Sequence, residues 1–387
     1  MIRSALSILL LILSAGCSTV SGWFGGSDNS IPPAELKTIA EPAISVQQLW
    51  QIQVGSGAED QFIRLTPALN DGRIYAASHN GMVMALDALS GQRVWETATG
   101  LPISGGVGIS DDGLVLVGTR KGEVVALRQE NGQEAWRAQL SSEVLASPRA
   151  AKGIVVVRTI DGKFTGLDSR SGEQRWTYSH AMPALSLRGN AAPLITQELV
   201  IAGLDNGKLL VLALAKGLPL TEKTIAAPRG RTEIERLIDI DSEPKTLGDM
   251  LYLAAYRGNV AAVNMRDGNL VWSRDLSSHA GLDVDARQVY LSDDADAVLA
   301  LDRASGGTLW KQPEMSGRRL SAPAATTDYV VVGDFEGYLH WLRKEDGQIV
   351  GRTRAASKAI IAPPVVAGDI VFVQGQGGTL AAFRAGG

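Results

Sequence analysis

The stretch NGMVMALDALSGQRVW, residues 80–95, is followed by KGEVVALRQENGQEAW at 121–136, DGKFTGLDSRSGEQRW at 161–176 and RGNVAAVNMRDGNLVW at 257–272. Weaker copies begin at 206 (NGKLLVLALAKGLPLT), 295 (ADAVLALDRASGGTLW) and 336 (EGYLHWLRKEDGQIVG), and a truncated one, GGTLAAFRAGG, at 377. Aligned on Gly81, Gly122, Gly162, Gly207, Gly258, Asp296, Gly337 and Gly378, the first seven units carry a second glycine ten residues later, at 91, 132, 172, 217, 268, 306 and 347. Four residues further on, five units have Trp (95, 136, 176, 272 and 310), with Thr221 and Gly351 in the other two. Pro recurs fourteen residues before the anchor, at 67, 148, 193, 244, 323 and 364. A repeat of about 40 residues decides the architecture ahead of length or composition.

Each unit explains its own spacing. Asn-Gly or Asp-Gly between alternating apolar runs favours a tight hairpin, because Gly tolerates positive φ. Asp-x-x-Ser-Gly reads as a longer hairpin turn in which Asp or Ser bonds local backbone N–H groups. Four short antiparallel strands per unit make a propeller blade, and Trp on the outermost strand offers a large apolar surface to the neighbouring blade. The last unit ends at Gly387 before a fourth strand could begin. Leu49-Trp50-Gln51-Ile52-Gln53-Val54 supplies the missing strand and closes the ring, which protects two blades from exposed edges. The expected fold is all-β, an eight-bladed propeller over residues 43–387.

The N-terminus points to export. One positive charge, at Arg3, precedes an apolar run from Ala5 to Leu13 and the small residues Ser14-Ala15-Gly16, a secretory signal over residues 1–16 and too short to span a membrane. Cys17 is the only cysteine, so no internal disulfide can form. Residues 14–17 resemble the lipobox of bacterial lipoproteins, with Ser14 where those proteins usually have Leu. That resemblance implies lipidation at Cys17, and Ser18 in place of Asp implies sorting to the outer membrane, facing the periplasm. Residues 17–42 lack periodicity and read as a tether, whose coil of about 25 residues would span roughly 25 to 30 Å.

Apolar residues make up 45% of the chain and charged ones 20%, ordinary for a globular protein. A net charge of −4 with the signs interspersed gives no basic stripe, so nucleic acid is not an expected partner. The Trp-bearing repeat is similar to that of quinoprotein dehydrogenases, which raises an enzyme as the alternative. Those enzymes typically place an adjacent Cys pair beside the cofactor, and here the single Cys is the lipid acceptor. Asp283, Asp285, Asp293, Asp294 and Asp296 cluster in blade six, but Asp in turns is more often a local cap than a metal ligand. The four His residues, at 79, 180, 279 and 340, show no metal-ligand spacing, and GQGG at 375–378 precedes a strand, so it is a turn. No catalytic residue, cofactor or metal is expected.

Crossovers between blades share a face with the hairpins joining strands two and three. The gap from the Trp position to the next Pro position is usually 10 to 13 residues, but it is 17 from blade three to four and 23 from blade four to five. These neighbouring insertions contain HAMPALSLRG (180–189) and RTEIERLIDID (231–241). Long loops held side by side on a rigid scaffold are where a partner is expected. A reader of periplasmic sugar or cell-wall ligands would look similar, although aromatic residues would then be expected in the crossovers, where little but Tyr178 occurs.

With the lipobox and the eight blades, MPALSLRG and TEIERLIDID resemble the BamB family, propeller lipoproteins of the β-barrel assembly machine in Gram-negative outer membranes. The resemblance covers essentially the whole chain. It implies a scaffold that docks on the periplasmic domains of the barrel-inserting subunit BamA and helps unfolded outer-membrane proteins reach it. It also implies a docking surface of Leu185, Leu187, Arg188, Asp239 and Asp241. On the residues alone another reading stands beside it: the two leucines alternate as core residues would, Arg188 could pair with Asp239 or Asp241, and both acids could cap turns.

Overall fold

A computed structural model describes residues 32–39 and 44–386, apart from 184, 188–190, 197, 229 and 233. The expected signal, Cys17 and most of the tether therefore lie outside the described residues. Among those described, every element is a β-strand, arranged in eight four-stranded sheets. Seven sheets are built from four consecutive strands each. The eighth takes three strands from the C-terminus, ending in Thr379–Gly386, and its outermost strand from the N-terminus, Ser45–Gln53. Trp50 stands opposite Ala382 and Ile52 opposite Leu380. The ring thus closes as the sequence predicts, through a strand longer than the six residues expected.

The core lies between blades. Tyr75, Val83 and Trp95 of blade one pack with Val115, Val117 and Val125 of blade two, and Tyr252 and Trp272 of blade five pack with Leu291 and Leu299 of blade six. The second strand of a blade meets apolar side chains on both faces, and Leu114–Thr119 and Ile154–Thr159 are buried along their whole length. Such strands read as continuous apolar runs because neither face is solvated.

Tryptophan makes the seam, and its geometry repeats. Trp95, Trp136, Trp176, Trp272 and Trp310 each stand opposite Ala or Gly on the third strand (Ala85, Ala126, Gly166, Ala262, Ala300). The indole then lies on the second glycine of the next blade: a Cβ built on Gly132 would sit 2.5 Å from Trp95, and one on Gly347 2.4 Å from Trp310. Its N–H donates to the carbonyl three residues before that glycine, Trp95 to Gln129 at 2.8 Å and Trp50 across the closure to Ala88 at 3.0 Å. Blade seven inverts the pair. There Trp341, on the third strand, stands opposite Gly351, and Ile44 fills the outer space.

The turns behave as their residues dictate. Asp87 Oδ1 accepts from the Ser90 N–H and hydroxyl, and Asp302 does the same with Ser305. Asp296, which replaces the anchor glycine, adopts φ +60° and accepts from the N–H groups of Arg319 and Leu320. In blade five it is Arg257, not Gly258, that takes the left-handed conformation.

Residues 32–39 depart from a free tether. The Ala34 N–H donates to the Ser316 carbonyl at 2.8 Å, the Ala34 carbonyl accepts from Arg318 at 2.9 Å, and the Lys37 carbonyl accepts from Arg352 at 2.8 Å. This part of the segment is strapped to blades six and seven.

Candidate functional site

The two long crossovers leave the outer strands Gln174–Ser179 and Pro219–Thr224 and reach the inner strands of blades four and five. The first is steered at once by the His180 N–H, which donates to the Gly162 carbonyl, while Met182 covers Gly162 so closely that a Cβ there would sit 2.7 Å from its sulfur. Leu185 is 44% exposed, and Met182 and Ile160 are exposed as well. Leu187 is half-buried and lines a cavity of about 290 Å³ with Arg158, Ile160, Met182 and Asp205. Arg188 lies outside the described residues.

The cavity floor is charged and internally paired. Arg158 is buried, donates to the Gly203 carbonyl at 3.0 Å and lies 3.5 Å from Asp205. His180 Nε2 meets Asp205 at 2.9 Å. Burial opposes ionisation of Asp205, but the His180 hydrogen bond and the Arg158 charge outweigh it and hold this carboxyl below its ordinary value.

The second crossover is shaped by a reciprocal cap. The N–H groups of Arg231 and Thr232 donate to Glu235, and the Glu235 N–H donates to the Thr232 hydroxyl at 3.2 Å. Arg257 holds the Ile234 carbonyl, leaving the Ile234 side chain 66% exposed. Beyond this turn Ile238 and Ile240 plunge into the core, where Ile240 covers Gly203 and its N–H donates to the Leu204 carbonyl.

Asp239 and Asp241 follow the isoleucines inward. Asp239 forms a two-way backbone bridge with Tyr256, its side chain is 0% exposed, and among the described residues neither carboxyl oxygen has a hydrogen-bond partner. Burial, followed by the negative charge of Asp241, pushes its pKa up to about 8. Asp241 is also buried and accepts from the Ala191 N–H. The structure places the expected docking residues at different depths: Leu185 is exposed, Leu187 is half-buried, and Asp239 and Asp241 are buried beside Ile238 and Ile240.

Sequence reasoning passed over Ile160, Met182 and Ile234. A usable signal existed for Ile160, since two residues before the anchor glycine most units carry His, Arg, Asp or Gln, whereas Ile160, Tyr256 and Phe335 are large and apolar or aromatic. The blade-six acids are engaged locally: Asp283 accepts from the Ala325 N–H, Asp285 from Arg287, Gln288 and Lys344, Asp293 from Ala295 and Ala297, and Asp294 pairs with His279. Among the described residues no group of three or more His, Cys, Asp or Glu is placed to hold a metal ion.

Fold and loops together define a class, the eight-bladed propeller with tryptophan-clasped seams and two long neighbouring crossovers. The family model described as outer membrane protein assembly factor BamB matches residues 79–312 and 297–386, and the chain belongs to that family. The BamB of Xanthomonas campestris pv. campestris is 40% identical, over 99% of this chain and 97% of that protein. The BamB of Pseudomonas aeruginosa is also 40% identical, over 98% of each. The crystal structure of BamB from Moraxella catarrhalis superposes with a TM-score of 0.81 at 29% identity, covering 88% of this chain and 100% of that one. A quinohemoprotein alcohol dehydrogenase from Comamonas testosteroni, at 14% identity and a TM-score of 0.69 over 88% of this chain and 76% of that one, shares the fold alone.

Proposed function

We propose that this protein works in outer-membrane protein assembly as a non-catalytic scaffold that docks on the periplasmic domains of BamA through its two long crossovers. The relatives' name, outer membrane protein assembly factor, supports the assembly role. The observation that carries the docking is the exposed apolar set Leu185, Met182, Ile160 and Ile234 on loops fixed from below by paired charges and buried isoleucines. Large apolar side chains held rigidly in solvent on neighbouring loops are what a protein interface uses as anchors. In this reading Leu185, Leu187 and Arg188 meet BamA directly, and Asp239 and Asp241 fix the backbone beneath them. A lipid on Cys17 anchors the propeller in the outer membrane, facing the periplasm, where unfolded outer-membrane proteins are its clients. The non-catalytic part of the reading rests on the blade-six acids being engaged as backbone caps and ion pairs.

Co-purification from solubilised membranes tests the reading. The wild type should bring down BamA, and Arg188→Glu should not, because it adds repulsion where a charge-assisted bond is lost. Cys17→Ser should appear in the soluble periplasmic fraction, still folded. Normal recovery of BamA with Arg188→Glu, or membrane retention of Cys17→Ser in cells without BamA partners, would contradict the corresponding half.

A further inference from the structure

Seven seams present the second glycine of a blade to the outer strand of the blade before it, and six hold an indole there: Trp50 on Gly91, Trp95 on Gly132, Trp136 on Gly172, Trp176 on Gly217, Trp272 on Gly306 and Trp310 on Gly347. In all six the indole N–H donates to the carbonyl three residues before the glycine. The seventh, between blades four and five, has Thr221 in the tryptophan position, and nothing lies within 4 Å of a Cβ built on Gly268. The equivalent carbonyl, that of Met265, receives no hydrogen bond from a described residue.

The rest of this seam keeps the common design. Two residues after the tryptophan position a side chain donates to the glycine carbonyl: Thr97 to Gly132 at 2.8 Å, Arg274 to Gly306 at 2.8 Å, Gln312 to Gly347 at 3.0 Å and, here, Lys223 to Gly268. Gly268 has φ +70°, like its six counterparts. The indole is absent, and Val211 takes the third-strand position that Ala or Gly holds opposite each indole; Leu218, Leu220, Leu270 and Val271, on the outer strands of the two blades or just before them, are exposed. Strand Pro219–Thr224 is also the last strand of its sheet, so its outer edge has no further strand beside it.

We propose that this vacant dock is a binding site for a tryptophan side chain carried by an extended polypeptide from another molecule. Its six filled counterparts show the chemistry it accepts: a flat indole against a glycine face with its N–H on a fixed carbonyl. The free strand edge offers the ligand chain backbone partners.

The test uses the mature chain and a capped peptide copying residues 133–139, Gln-Glu-Ala-Trp-Arg-Ala-Gln, with a Trp→Ala peptide as control. Titration followed by amide NMR should show saturable shifts centred on Met265 to Asn269 with the Trp peptide only. Thr221→Trp should fill the notch from within, raise the melting temperature and abolish those shifts. Gly268→Ala meets no atom in the free protein but blocks the indole face; at φ +70° the alanine is strained, so it should abolish binding with the fold kept at a slightly lower melting temperature, and it serves if Thr221→Trp misfolds. No saturable shifts in the wild type, or undiminished shifts in folded Thr221→Trp or Gly268→Ala, would overturn the proposal. So would a change at Gly268 on replacing Trp23, a tryptophan of the N-terminal segment outside the described residues, without peptide, which would make the chain's own indole the occupant.

Discussion

Asp241 Oδ1 accepts the backbone N–H of Ala191 at 3.2 Å, which ties the end of one long crossover to the end of the other. Among the described residues neither loop contains strand or helix between its blades beyond the Asp239–Tyr256 bridge, so side-chain bonds of this kind set their relative position. A buried carboxylate that satisfies a backbone donor contributes more than a neutral hydrogen bond would.

Replacing Asp241 by Ala therefore leaves a buried N–H without its acceptor, and destabilisation of about 1 to 3 kcal/mol is expected. Urea denaturation measures the loss, and hydrogen exchange at Ala191 should accelerate more than at Val200, in the core of blade four. Unchanged exchange at Ala191 would show that the loops are joined by other contacts.

Asp239 makes a pH-dependent prediction of the opposite sign to the usual acid. Its pKa, near 3.8 when exposed, stands at about 8 in the fold, so between these values the folded chain keeps a proton the unfolded chain has released. Stability then falls as pH rises through that window, by up to about 1.4 kcal/mol per unit. Asp239→Asn cannot lose this proton. Its stability relative to wild type should climb from pH 4 to 8 and level off beyond, and parallel stability curves would show that Asp239 is ionised in the fold.

The indole seams set a scale for the ring. Trp95→Ala removes a buried side chain that spans two blades and should cost about 3 to 5 kcal/mol. Thr221→Ala, at the exposed equivalent position, should stay within about 0.5 kcal/mol. Equal losses in chemical denaturation would mean that the seams do not carry the stability.

Truncation separates tether from strap. Removing residues 18–31 should leave the melting temperature unchanged, whereas removing 18–39 also takes the Ala34 carbonyl from Arg318, whose guanidinium is buried against Asp334. An extra loss of about 1 to 3 kcal/mol is expected. Identical melting of the two truncations would make the strap energetically idle.

Much of this was readable before the structure. The blade count, the glycine turns and the closing strand at Trp50 follow from residues at fixed offsets, because each offset reports one local conformation repeated eight times. The inverted pair Trp341 and Gly351 escaped, since a pattern counts a missing Trp as a gap while cross-strand volume is conserved by exchange. The depth of Asp239 and Asp241 stayed open between a docking face and internal pairs or caps, because crossovers have no repeat to show which side faces the blade; in the fold both are buried. The strap at 32–39 is held mostly by its own backbone carbonyls and N–H groups, with one exposed ion pair from Lys37 to Glu314, and no repeating side-chain pattern reveals it.

The affinity of the purified propeller for the isolated periplasmic domains of BamA tests the docking account most directly. Leu185→Asp and Leu187→Asp each put a charge into an apolar contact without touching the blade core. If these side chains are anchors worth about 2 kcal/mol each, Kd should rise roughly 30-fold per substitution while circular dichroism and melting match the wild type. Wild-type Kd in both folded variants would contradict the account and place the interface on another face of the ring.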